Sequence, residues 1–437
     1  MANTYLSRTE ADFGTATNRK KCTISFWVKR SLLTSQQAVM GVETTPAGGT
    51  SEARFILKGD DKLEIYDYQS GYKFRYITTR VLRDVNAWYH IVVAVDTTQG
   101  TASNRVKLYI NGVQETSFST ESDPTLDLDT FLNSGSYVQI GRQSTGNSYL
   151  EGCINNYAFV DGTALTPTSF GETDSASGIW KFKTPSGVTW GTNGFHLKMD
   201  NSANLGLDSS GETNNFTLSG NGRQAKDTPT NVFATFNPLD VNKGTVTTFS
   251  NGNTTVMHNA GSSGSTTASR STLAYSAGKF YWEAKCIATG GDVRTGIISM
   301  SSSDYNTQTN PFTLNECYNY KSNGDKGSCG DTNSAYGATY TAGDIIGIAH
   351  DVSAGTLIFY KNGVSQGTAF TGLSTSLFWG AFSSEYNQGK YSYNFGNGYF
   401  GTTAITSAGS NGNGSLFEYD VPSGYYALNT KNINTYG

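Results

Sequence analysis

The chain has 437 residues, with 50 Gly, 26 Tyr, 23 Phe and only 8 Pro, and a formal net charge of −4. Both signs of charge are mixed without a basic block, which excludes a nucleic-acid partner. No apolar run approaches the ~20 residues of a membrane helix, so no membrane insertion is expected. The opening MANTYLSRTEADFG lacks the apolar core of a signal peptide, which places assembly in a cytosol. Length and the scarcity of helix formers predict an all-β chain of two domains.

In chain order, Tyr5-Leu6-Ser7 opens as a strand. Residues 22–29 (CTISFWVK) alternate, with Ile24, Phe26 and Val28 on one face and Thr23, Ser25 and Trp27 on the other. Short strands follow over 54–57, 62–68 and 73–78. Residues 88–96 (WYHIVVAVD) read as a central strand, and 106–113 (VKLYINGV) as a hairpin. Its Asn111-Gly112 suits a type I′ turn, which needs positive φ at both central residues. Strands at 138–141 and 150–161 follow. Residues 220–240 carry Pro229 and Pro238 but also Val232, Phe233 and Phe236, so they read as an ordered connector rather than a floppy linker.

Beyond the connector, strands are expected at 245–250 and 254–258, then a polar loop at 260–269, then strands at 275–285 and 294–299. Residues 301–339 form a long polar stretch. Ile345, Ile346, Ile348 and Ala349 make a nearly continuous apolar run, which suits a strand buried on both faces. A second hairpin follows, closing on Asn362-Gly363, and strands at 377–382 and 391–395 end the series.

Several residues carry candidate chemistry. Tyr66, Tyr68, Tyr72 and Tyr76 could offer rings to a sugar. Their spacing of two and four also suits half-buried packing on one face of paired strands. In the 301–339 stretch, Asp304, Tyr305, Tyr318 and Tyr320 are candidate ligand contacts, since function concentrates on loops carried by a rigid scaffold; the alternative is an insertion covering a sheet edge. Asp123, Asp127 and Asp129 are candidate calcium ligands, or keep a loop solvated. Cys317 and Cys329 flank a Gly-rich loop and could pair, while Cys22, Cys153 and Cys286 read as small buried hydrophobes. No CxxC points to zinc. Glu64 and Asp67, three apart, fall on opposite strand faces, so no carboxylate pair is set for glycoside hydrolysis. No G-x-S-x-G, HExxH or phosphate loop occurs. Neither enzymatic activity nor a cofactor is therefore expected, and His90 and His350 read as structural.

TISFWVK, WYHIVVAVD, VKLYINGV, IGRQ and LEGCINNYAFVDGTALTP, in that order, resemble the laminin-G-like, concanavalin A-type sandwich over about residues 5–170. TNGFHLKMD and DSSGETNNFTLSG resemble its closing part in marine phage proteins. SAGKFYWEA, GDIIGIAHD, GTLIFYKNG and YSYNFG resemble a SPRY domain, and VPSGYYALNTKN resembles the strand that closes it in phage proteins. The resemblance implies two tandem antiparallel β-sandwiches: jelly-roll or concanavalin A-like over 1–220, a connector over 221–240, and SPRY-like over 241–437. It implies a virion surface protein of a tailed phage, as tail fibre, tail tip or capsid-surface attachment. Its implied partners are other virion proteins and a host surface glycan or receptor, met as a homo-oligomer or in many copies. A glycan-depolymerising enzyme and a purely architectural decoration are the alternatives; a bacterial adhesin would need an export signal.

Overall fold

Short runs of Thr, Val, Ile, Phe and Tyr, punctuated by Gly and Asn, fold almost wholly into antiparallel strands. The computed structural model describes residues 4–45, 50–143, 148–242, 247–258, 266–305, 314–328 and 332–437. The chain divides into two units, Met1–Gln224 and Ala225–Gly437, each with its own core.

Among the described residues of the first unit, one sheet has eight strands. Their spatial order is Phe118–Ser122, Tyr72–Val81, Lys62–Gln69, Ser51–Leu57, Gln37–Glu43, Tyr137–Ile140, Tyr5–Arg8 and Thr217–Ser219. The second has six, in the order Phe195–Leu197, Gly152–Asp161, Lys21–Arg30, Tyr89–Asp96, Val106–Ile110 and Val113–Gln114. Two of these strands carry little sequence signal. Gln37–Glu43 is an apolar run interrupted by Gly41, and Phe118–Ser122 is a mostly exposed edge strand without an apolar face.

Alternation positions the core. Phe26 stacks on Tyr157 with centroids 5.1 Å apart and meets Phe55 edge-on at 6.1 Å. The outward-facing Ser25 and Trp27 are buried too, because residues 163–190 fold back over this sheet. Trp180 donates its Nε1–H to Nδ1 of His90 at 2.9 Å, which leaves Nε2 to donate to Ser25 Oγ, also at 2.9 Å. Burial lowers the His90 pKa to about 3, so the ring stays neutral in this structural role.

In the second unit, the described residues form a seven-stranded sheet in the order Phe236–Val241, Thr266–Ser271, Trp379–Tyr386, Val293–Ser299, Cys317–Lys321, Asp325–Ser328 and Thr332–Ala335. The facing sheet runs Thr247–Ser250, Thr255–His258, Lys390–Asn394, Lys279–Ala288, Ile345–Asp351, Thr356–Lys361 and Val364–Phe370. Tyr426–Ala427 joins it parallel to Lys279–Ala288. Every residue of Ile345–Asp351 is buried, as its apolar run predicts. Phe280 and Trp282 are both fully withdrawn from solvent. So are their alternating neighbours Tyr281 and Glu283, because residues 416–419 lie over the other face.

The structure departs from the sequence reading in five places. Residues 225–240, read as connector, group with the second unit, where Phe233 and Phe236 enter the core. The polar loop expected over 260–269 gives way to a strand at Thr266–Ser271. The described residues of the 301–339 stretch form three strands, whose largely polar residues hid them from an apolar pattern. The tail closes on the two-residue strand Tyr426–Ala427 and a helix, Thr430–Tyr436, capped by the Asn429 side chain accepting from Asn432 N. Cys153 is partly exposed, whereas Cys22 and Cys286 are buried. Cys317 is also buried, and the pairing considered for it falls on Cys329, which lies outside the described residues.

Both Asn-Gly turns have the predicted backbone, with φ of +50° and +79° at Asn111-Gly112 and +48° and +79° at Asn362-Gly363. Each glycine also seats an aromatic ring. A Cβ on Gly112 would lie 2.5 Å from Trp180, and one on Gly363 would lie 2.7 Å from Tyr419.

Candidate functional site

The strands Ser51–Leu57, Lys62–Gln69 and Tyr72–Val81 turn Ala53, Phe55, Leu57, Ile65 and Phe74 into the first unit's core. The alternate residues therefore face outward: Glu52 and Arg54, then Glu64, Tyr66 and Tyr68, then Arg75. A register shift between Asp67 and Tyr68 pairs Tyr72 with Tyr68 and brings Tyr72 onto this same face. Tyr72 is 49% exposed. Its ring is edge-on to Tyr66 at 5.5 Å and to Tyr68 at 5.3 Å, and the Arg75 guanidinium lies 4.6 Å over it.

Charge surrounds the rings. Arg75 pairs with Glu64 at 2.7 Å. Tyr66 donates its hydroxyl to Glu52 at 2.7 Å, and burial together with this bond keeps the phenol protonated. Arg54 reaches both Glu52 and Glu43, the latter at 3.1 Å. One strand further on, Gln139 donates to Tyr137 Oη at 3.1 Å. The face thus offers the half-exposed Tyr72 ring bordered by the partly exposed Glu52, Tyr68 and Arg75, while Glu43, Arg54, Glu64, Gln139 and the candidate Tyr66 are buried beneath them.

The structure brings together Tyr66, Tyr68 and Tyr72 and sends Tyr76 the other way. Tyr76 is buried in the core and donates its hydroxyl to Asp123 at 2.5 Å. Tyr305 and Tyr320 are buried as well. Tyr305 donates to the carbonyls of Ala268 at 3.0 Å and Asp240 at 3.1 Å, under the Arg270 guanidinium. Tyr320 packs among Tyr336, Tyr340 and Phe359 and donates to the Ala338 carbonyl. Rings so enclosed present no face to a ligand. Tyr318 is half-buried against Phe370 and Trp379. Asp304 accepts from Ser302 at 2.6 Å and from Asn315 N at 3.1 Å, which makes it a local loop clasp.

The three calcium candidates do not converge. Asp123 holds Tyr76, the exposed Asp127 pairs with Lys20 at 3.1 Å, and the exposed Asp129 uses its carbonyl to accept from Gln69 at 3.1 Å. Among the described residues, no three His, Cys, Asp or Glu side chains form a group that could hold a metal. Glu64 and Asp67 do fall on opposite faces: Asp67 turns inward and accepts from the amides of Phe131 and Leu132 at 2.7 and 3.1 Å. Sequence reading missed Arg54, Glu52 and Glu43 as site residues. The Glu52/Arg54 alternation was visible, but Glu43 belongs to the unrecognised strand Gln37–Glu43.

Residues 2–169 match the family model of the concanavalin A-like lectin/glucanases superfamily, and residues 279–398 match that of the SPRY domain. The chain therefore contains a concanavalin A-like domain and a SPRY domain. Among curated proteins it is similar to Ran-binding protein 9 of Xenopus tropicalis, 35% identical over 102 residues, 23% of this chain and 18% of the relative. It is also similar to the Ran-binding proteins 9/10 homolog of Drosophila melanogaster, 32% identical over 106 residues, 24% of this chain and 11% of the relative. The chain thus spans less than a fifth of either relative. Among solved structures, the SPRY domain of human HERC1 is 19% identical with a TM-score of 0.30, covering 36% of this chain and 96% of that one. Domain 4 of the arabinanase AbnA from Geobacillus stearothermophilus is 20% identical with a TM-score of 0.26, covering 36% of this chain and 66% of that one.

Proposed function

We propose that the protein binds without catalysing: the first unit takes a glycan on the outer face of its eight-stranded sheet, and the chain also takes a protein partner. Tyr72 carries the glycan reading. Its half-exposed ring is fixed by two edge-on tyrosines and a guanidinium, with charged hydrogen-bonding groups beside it. A sugar offers apolar C–H faces to such a ring and hydroxyls to such neighbours. The lectin component of the matched superfamily supports the same reading. The relatives named for binding Ran support a protein partner.

The carboxylates of this face are poorly disposed for hydrolysis. A glycosidase needs one carboxyl that can donate a proton and a second that can attack or activate water. Glu43 and Glu52 instead converge on one guanidinium, Arg54, and are held in ion pairs with it. The proposed setting is the surface of a phage particle, in a tail fibre, tail tip or capsid-surface attachment. The support is the resemblance of the paired domains to tailed-phage structural proteins. Display in many copies would raise avidity by roughly 10²–10⁴ over one weak site.

The test is to pass the protein over immobilised bacterial envelope polysaccharides and to analyse the polysaccharide afterwards. Retention with chains of unchanged length is expected. Reproducible shortening would overturn the non-catalytic reading, and lack of retention on every polysaccharide would overturn the glycan reading. Host cells pre-coated with the protein should adsorb less phage; unchanged adsorption would favour a purely architectural role.

A further inference from the structure

Asn-Gly is the dipeptide most prone to deamidation, because glycine leaves its own amide nitrogen unshielded. The chain contains nine such pairs, at Asn111, Asn193, Asn221, Asn251, Asn323, Asn362, Asn397, Asn411 and Asn413. Seven have a tied side chain. Asn111 accepts from His90 N at 2.8 Å, and Asn362 accepts from Ile345 N at 2.8 Å while donating to Asp344 at 2.7 Å. Asn193 is buried and bonded twice to Gly14. Asn251, Asn323, Asn397 and Asn411 bond to Thr255, Asp325, Tyr399 and Val421.

That leaves Asn413 and Asn221. Asn413 (φ +49°) and Gly414 (φ +86°) are the central residues of a turn closed by Ser415 N donating to Gly412 O at 2.8 Å. In such a left-handed turn the next amide nitrogen is carried anti to Cβ, out of reach of the side-chain carbonyl. Asn221 is exposed, lies outside the left-handed region, and is tied only through its backbone N–H, which donates to Thr4 Oγ1 at 3.1 Å.

We propose that Asn221-Gly222 is a deamidation site of the folded protein. The Gly222 amide nitrogen loses its proton and attacks Asn221 Cγ. The new C–N bond closes a succinimide as the side-chain nitrogen leaves as ammonia. Water then opens the ring at either carbonyl, leaving aspartate or isoaspartate; no oxidant or reductant is needed. The product adds a negative charge and, as isoaspartate, one backbone methylene beside the edge strand Thr217–Ser219.

Folded protein held at mildly alkaline pH and mapped by peptide mass spectrometry tests this. The peptide containing Asn221 should convert roughly tenfold faster than any of the seven tied Asn-Gly pairs, the rate ratio expected where breaking one side-chain hydrogen bond must precede attack, and also faster than Asn413. Asn221→Gln should remove this early conversion, and Asn111 and Asn362 should convert at a comparable rate only after unfolding in denaturant. Earlier or equal conversion at Asn413 or at any tied asparagine in the folded state would overturn the proposal, as would no conversion at Asn221.

Discussion

Glu283 sits fully buried in the second unit, held by neutral donors. The amides of Glu418 and Tyr419 donate at 2.9 Å each, and Asn394 and Tyr281 donate at 3.3 Å. Burial pushes its carboxyl from the ordinary 4.5 up to about 7, against the pull of those donors. The folded state therefore holds its proton longer than the unfolded chain. Stability from this group is complete below pH 4.5 and is lost as pH rises through 7, with a ceiling of about 3 kcal/mol at ~1.36 kcal/mol per pKa unit. Urea unfolding of the second unit should show this decline between pH 4.5 and 7, and Glu283→Gln should flatten it; an unchanged slope would contradict the assignment. At Gly363, positive φ and the nearby Tyr419 ring both oppose a side chain. Gly363→Val should cost about 1–3 kcal/mol in the same measurement.

Elements are joined by buried polar nodes as well as by apolar faces. Arg30, on Lys21–Arg30, is fully buried and pairs with the equally buried Asp61 at 3.1 Å while donating to the Leu82 carbonyl at 2.8 Å. Asp61 also accepts from Thr34 N at 2.8 Å and from Arg83 at 2.9 Å, so one ion pair ties three loops to a central strand. Arg30→Met leaves Asp61 without that buried counter-charge and should destabilise the first unit by about 3–5 kcal/mol in denaturant unfolding. Strand positions were legible where an apolar face runs uninterrupted, as in Lys21–Arg30, Tyr89–Asp96 and Ile345–Asp351, but not in Gln37–Glu43, where Gly41 breaks the run. They were illegible in Cys317–Lys321, Asp325–Ser328 and Thr332–Ala335, whose residue types are mostly polar or small and show no apolar alternation. The site was legible in part for the same reason. Alternation put Tyr66 and Tyr68 on one face, but no local pattern could show that Tyr66 is buried there, that a register shift adds Tyr72, or that Tyr76 stays in the core.

At the scale of the whole molecule, the chain joins a concanavalin A-like unit and a SPRY unit, each with a core built from its own strands. No residue group among those described is arranged to hold a metal, so thermal melts with and without EDTA should coincide within a few degrees; a larger drop would reveal a structural ion. The central claim is that the outer face around Tyr72 binds glycan. Titration of a retained envelope polysaccharide into the full chain, wild type against Tyr72→Ala, tests it most directly. The variant should stay folded but lose about 1–2 kcal/mol of stability with the two edge-on ring contacts and the guanidinium contact it removes. Its affinity should fall roughly three- to tenfold, the loss expected from an aromatic contact worth about 0.5–1.5 kcal/mol. Equal affinity in wild type and a fully folded Tyr72→Ala would contradict the account.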